Sequence, residues 1–218
     1  AGGEDVYILK LGANGNKVWE KTFGGSSDDL AYFIQQTSDG GYVVAGYTWS
    51  SSKWEDVYIL KLDANGNKVW EKTFGGSDND GAYSVQQTND GGYVAAGYTK
   101  SFGSGWYDAY VLKLDENGNN VWEKTFGGNS WDEACSIQQT SDGGYIVAGY
   151  TSSFGSGSYD VYILKLDTSG NEVWSKTFGE SSDDLAWSIQ QTSDGGYIVA
   201  GYTKSFGAGG EDVYILKL

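Results

Sequence analysis

Carboxylates recur in pairs along the sequence: Asp28 and Asp29, Asp78 and Asp80, Asp132 and Glu133, Asp183 and Asp184. A hard cation such as calcium takes about 6–8 oxygen ligands, and pairs of this kind supply some of them. Aromatic residues recur in Gly/Ser-rich stretches that alternate with the acidic ones: Trp54, then Phe102, Trp106 and Tyr107, then Phe154 and Tyr159, then Phe206. Rings that stack on a sugar, beside carboxylates that bond its hydroxyls, are the chemistry of carbohydrate binding, and Trp54, Trp106, Tyr107 and Tyr159 are the candidates. A plainer reading stands ahead of both: the rings plug loops, and the carboxylates accept backbone N–H bonds in turns. Two carboxylates are also enough for glycoside hydrolysis. Catalysis, however, needs one asymmetric site, and each acidic pair here has counterparts elsewhere in the chain, so the expectation is a protein that is not an enzyme.

Composition removes much other chemistry. The 218 residues include no His, Pro or Met, and all 14 basic residues are Lys. A Ser-His-Asp or Cys-His nucleophile, a His-ligated zinc and a bidentate Arg clamp on phosphate are therefore excluded. The net charge of −15 opposes phosphate neutralisation and attraction to an anionic lipid surface, so neither nucleic acid nor membrane insertion is expected. No apolar run reaches the length of a membrane-spanning helix. The first residues, Ala1-Gly2-Gly3-Glu4-Asp5, lack the basic and apolar regions of a signal peptide, and the absent Met points to a processed chain. The lone Cys135 replaces Tyr32, Tyr83 and Trp187 of the sibling positions and reads as a small buried hydrophobe. An acidic chain rich in Gly, Tyr and Trp and nearly free of thiols suits an extracellular or cell-surface setting.

The elements that position these residues come from a repeat. The heptapeptide Asp5-Val-Tyr-Ile-Leu-Lys-Leu11 returns in close variants at Asp56, Asp108, Asp160 and Asp212, every 51 or 52 residues. Trp19, Trp70, Trp122 and Trp174 keep the same period, as do the Gln pairs that begin at Gln35, Gln86, Gln138 and Gln190. Residues 1–218 thus form one domain of four units, starting near 5, 56, 108 and 160, with a fifth copy of the heptapeptide at 212–218.

Each unit alternates short β-branched and aromatic runs with turn residues, the all-β pattern. In the unit covering 144–195, strand A (144–151) is apolar on both faces, with Ala148-Gly149 suited to a close backbone approach. Strand B (160–166) is apolar on both faces apart from Lys165 and must be covered on both sides. Strand C (173–178) mixes polar and apolar positions, and its recurring Trp is expected in the interblade core. Strand D (186–192) is the most polar and is expected at the outer edge, with A innermost. The Asp63–Asn67 and Asp115–Asn119 runs share part of an EF-hand pattern, but a hairpin turn accounts for them better.

Four antiparallel strands repeated about every 52 residues predict a β-propeller of four or five blades, with a surplus terminal strand. The order of motifs resembles secreted bacterial and archaeal repeat propellers with units such as DVYILKLDANGNKVWEKTFGG followed by SIQQTSDGGYIVAGYT, and the strand order is similar to that of quinoprotein-type propellers. The resemblance covers essentially the whole chain and implies the fold and an extracellular setting, with no defined activity. The repeats are unequal, Phe33 standing where the siblings carry Ser84, Ser136 and Ser188. That pattern favours amplified natural sequence over a symmetrised engineered propeller with no native ligand.

In such a meander the A–B and C–D loops emerge on one face, which should be aromatic, Gly/Ser-rich and acidic. The function expected is a binding or structural scaffold for a protein or glycan surface, with a lectin-like propeller as the alternative, no cofactor, and calcium as an option. Closure is expected within one chain, Gly196–Thr203 and a B strand joining Lys17–Phe23 and Ala31–Thr37 in one blade, with a larger ring assembled from two chains as the alternative. The surplus B strand is then free for self-association.

Overall fold

The computed structural model describes residues 3–49 and 54–218, so the middle of the first A–B loop, residues 50–53, lies outside the described residues. Among the described residues there is no helix and there are seventeen strands in five antiparallel sheets. A two-stranded sheet pairs β1 (Val6–Leu11) with β2 (Lys17–Phe23). Three complete four-stranded sheets follow: β3 (Asp29–Gln36) to β6 (Lys68–Phe74), β7 (Asp80–Gln87) to β10 (Asn120–Phe126), and β11 (Asp132–Gln139) to β14 (Glu172–Phe178). A three-stranded sheet ends the series, from β15 (Asp184–Gln191) through β16 (Tyr197–Thr203) to β17 (Asp212–Lys217). The all-β propeller expectation therefore holds.

The strand order inside a blade differs from the expected one. In the third complete blade the sheet runs β11-β12-β13-β14, so strand D leads, A and B lie in the middle, and the Trp-bearing strand C is the exposed outer edge. Strand D, expected outermost because of its polarity, instead lines a shallow pocket of about 250 Å³ shared by the four D strands, walled by Phe33, by Gln35, Gln86, Gln138 and Gln190 and by the Ser84, Ser136 and Ser188 row. The reason lies in the backbone. An innermost strand has one edge without a sheet partner, and its N–H groups need acceptors. The Gln side chains supply them between blades: Gln35 Oε1 accepts from Gln87 N at 2.8 Å, Gln86 Oε1 from Gln139 N at 2.6 Å and Gln138 Oε1 from Gln191 N at 2.6 Å. The second Gln of each pair reaches back, Gln87, Gln139 and Gln191 accepting from the backbone N–H of Ser38, Asn89 and Ser141.

In the second and third complete blades strands A and B are buried on both faces, as expected, and every residue of β13 is buried. Between successive blades, one face of A and B packs on D, A and B of the next. Val94, Ala96, Ala109 and Val111 meet Ala134, Ile137, Tyr145, Val147, Leu164 and Leu166 in one such layer. The recurring Trp residues rim this core rather than fill it: Trp122 is half-buried, edge-on to Tyr145 at 5.7 Å between ring centres.

Closure also departs from expectation. β17 pairs only with β16, and β1 only with β2, so the two B copies each keep their own sheet and no composite blade forms.

Candidate functional site

The A–B and C–D loops do meet on one face, and hydrogen bonds show how. Asp80 at the start of strand D accepts from Thr99 Oγ1, from Gly76 N at 2.9 Å and from Ser101 Oγ at 2.6 Å. The set recurs at Asp132 with Thr151, Gly128 and Ser153, and at Asp184 with Thr203, Glu180 N and Ser205. Asp29 accepts from Gly25 N. A second carboxylate row opens strand B: Asp108 accepts from Ser104 N at 2.8 Å and Asp160 from Ser156 N and Gly157 N at 2.9 Å. A β-carbon on Gly127 would lie 2.2 Å from Asp108 and 2.6 Å from Asp132, so only glycine lets the two rows approach. Burial, with the Asp132 charge a smaller cause, pushes the Asp108 carboxyl up to about 6.

The remaining carboxylates proposed for a cation are engaged separately. Asp78 pairs with Lys100 at 3.1 Å, Asp183 pairs with Lys204 at 3.0 Å, and Asp28 accepts from Glu4 N at 2.8 Å. Among the described residues no group of three or more carboxylate or thiol side chains gathers to hold a metal ion. The Asp63–Asn67 turn is a closed hydrogen-bonded hairpin, Asp63 Oδ1 accepting from Asn65 N and Asn67 N.

Glu133 leaves the acidic row and enters an aromatic cluster. It is buried, accepts from the Trp131 indole N–H and is hydrogen-bonded by Tyr83 and Tyr150, and burial raises its carboxyl above the ordinary range. Each D strand bears a bulge at the next position but one: Ala134 pairs with Gly149 and Ser136 with Ala148, leaving Cys135 over. The corresponding extra residues are Tyr32, Tyr83 and Trp187. Gly149 is what the bulge demands, because a β-carbon there would lie 1.8 Å from the Glu133 carbonyl oxygen.

Two of the four proposed ligand-binding aromatics join this cluster. Tyr107 stacks on Trp131 at 4.4 Å and sits edge-on to Tyr98. Tyr159 is edge-on to Tyr150, which also meets Trp187. Their rings are thus partly used inside the protein. Trp106 is 64% exposed, and Trp54 is exposed with the Lys100 ammonium 6.0 Å from its ring centre. Phe102, Phe154 and Phe206 add further exposed rings from the same loops, each leaning on a strand B tyrosine.

A cleft of about 460 Å³ went unread in the sequence. Phe126, Phe154 and Tyr162 wall it, with Glu172, Ser175 and Lys176 at its polar side. Its signal is a substitution: Ser175 stands where the siblings carry Glu20, Glu71 and Glu123, whose carboxylates accept from the Tyr7, Tyr58 and Tyr110 hydroxyls. The matching cleft beside Glu71 measures about 320 Å³, so the shorter side chain goes with a wider space.

Residues 140–171 match a family described as a domain of unknown function (DUF5122) beta-propeller. A curated relative, the regulatory protein FlaEY of Caulobacter vibrioides, is 26% identical over 79% of this chain and 22% of its own length. The chain therefore spans about a fifth of that relative. Among solved structures, a protein of unknown function from Bacteroides caccae shares the fold at a TM-score of 0.51 and 11% identity, over 89% of this chain and 64% of that one. Sqt1 from Chaetomium thermophilum follows at 0.46 and 13%, over 78% and 40%. Strand order, interblade hydrogen bonds and family match lead to the same conclusion: the chain is a repeat β-propeller.

Proposed function

We propose that this propeller is a non-enzymatic scaffold that binds a macromolecular partner through the face made by its A–B loops. The observation that carries the reading is the row of exposed rings on that face, Trp54, Phe102, Trp106, Phe154 and Phe206, above carboxylates already occupied by the protein's own donors. Exposed aromatic side chains on a rigid frame supply contact area at low entropic cost and are common anchors of protein interfaces. The acidic charge favours a partner with a basic surface, and the composition suits an extracellular or cell-surface setting. A regulatory relative accords with a role in binding.

The lectin-like reading rests on Trp106, whose ring is open enough to stack on a sugar. One experiment separates the two. The wild type and the Trp54→Ala/Trp106→Ala variant are passed over immobilised basic proteins and over a glycan array. Retention by proteins that the variant loses supports the scaffold. Retention by glycans that free sugar abolishes selects the lectin, and retention by neither surface overturns both.

A further inference from the structure

The two ends of the blade series expose the two halves of one interface. Inside the protein, the front face of each blade is built from strands A and B, with Val94, Ala96, Ala109 and Val111 in one blade and Ile146, Ala148, Val161 and Ile163 in the next. The back face presents the Tyr-x-Leu-x-Leu side of strand B and one aliphatic residue of strand D, for example Tyr162, Leu164, Leu166 and Ile137. These residues are all buried.

At the β15–β17 end the front face has no cover. Val213 is 81% exposed and Ile215 55%, where their equivalents Val161 and Ile163 are essentially sealed, and Ile198 and Ala200 beside them are only part-buried. At the other end the back face is open: Tyr7, Leu9 and Leu11 of β1 are exposed, while Tyr58, Leu60 and Leu62 at the matching positions are buried. Exposed aliphatic side chains contiguous on a sheet face mark a surface that another surface covers. Here the repeats themselves show the surface that fits, because front on back is the contact made between successive blades throughout the chain.

We propose that two copies of the chain associate head to tail, the front face of β16 and β17 in one copy (Ile198, Ala200, Val213, Ile215) packing on the back residues Tyr7, Leu9 and Leu11 of the other. The contact continues the interblade interface from one molecule to the next and uses sheet faces, not the free strand edge. Because the two faces differ, it is heterologous; it closes at two copies when each copy covers both ends of its partner.

Light scattering coupled to gel filtration tests this on the whole chain and two variants. Val213→Lys/Ile215→Lys blocks the front face and Leu9→Lys/Leu11→Lys the back, at exposed positions, and an unchanged circular dichroism spectrum and melting curve establish that each is folded. Should Ile215→Lys unfold the protein, Val213→Lys alone replaces the front block. The wild type is expected at twice the 23.5 kDa chain mass, each variant alone as a monomer, and an equal mixture of the two at twice the chain mass again, because one free front meets one free back. A wild type that stays monomeric through a wide concentration series overturns the proposal. A variant that pairs with itself overturns it too, since that contact joins like faces, and so does a mixture that fails to associate.

Discussion

The Lys165 ammonium lies 3.0 Å from the Asp142 carboxylate, joining the end of strand B to the D–A turn of the same blade. Lys165 is 6% exposed and also donates to the Leu166 carbonyl oxygen at 3.1 Å, while Asp142 takes the Thr140 hydroxyl and Gly144 N. The pair recurs as Lys61 with Asp39, Lys113 with Asp90 and Lys217 with Asp194. It explains the one polar residue in a strand otherwise apolar on both faces. Lys10, whose sheet lacks strands A and D, pairs with no carboxylate among the described residues and lies over the Tyr42 ring instead.

Asp142→Ala should destabilise the protein by about 1–2 kcal/mol, read by denaturant melting. Removing one partner of a fully buried pair costs about 3–5 kcal/mol, and the water-exposed carboxylate of Asp142 reduces that. Asp142→Ala/Lys165→Met should recover most of the loss, since it removes the orphaned charge while keeping the volume.

Two opposing groups shape the pH dependence. Asp108 is held up at about 6, so its contribution is full below the ordinary carboxylate value and is lost as pH rises through 6. Hydrogen bonds from Thr140 and Lys165 lower Asp142 to about 2, and Asp90, with its Thr88 and Lys113 partners, is also lowered to about 2 against the cost of burial; the stability they give is present above the ordinary value and is lost as pH falls towards 2. Melting temperature should therefore rise as pH is lowered from 7 to 4.5 and fall below 4. Asp108→Asn should flatten the first limb and leave the second.

Gln138→Ala should cost about 1–3 kcal/mol, because it deprives the Gln191 backbone N–H of its acceptor at 2.6 Å. Gln190→Ala, at the same position of a blade that meets no next blade among the described residues and with an exposed side chain, should change stability by less than about 0.5 kcal/mol. Equal losses from the two would show that the Gln row does not join blades.

Trp122→Ala should cost about 2 kcal/mol and Leu164→Ala about 3–4 kcal/mol, since the indole is half-buried and the leucine is sealed between blades. Urea melts of both variants check the order. The reverse order would place the Trp row inside the core.

Cys135 should resist a thiol reagent in the native protein and react on unfolding, because burial holds its thiol well above the usual range. Rapid native labelling would show that the D-strand bulge opens.

The period of the heptapeptide, the alternation of strands with turns and the small residue at Gly149 are all local properties, and the sequence alone determined the repeat, the all-β class and the close approach at the bulge. Hairpin connectivity is local too and fixes which loops emerge together, so the C–D loop that carries Asp78 lies beside the A–B loop that carries Ser101. What neighbouring blades do to a strand is not local. The polarity of strand D, as in Ser136 and Gln138, read as an outer edge, yet only a neighbouring blade puts unpaired N–H groups beside those side chains and turns polarity into an inward-facing property. Similarly, whether a carboxylate is free for calcium or held by Thr99 and Ser101 depends on a loop some twenty residues away, which spacing within one unit does not reveal. The exposure of Val213 against the burial of Val161 is the clearest case, since identical heptapeptides differ only in whether another blade stands in front of them.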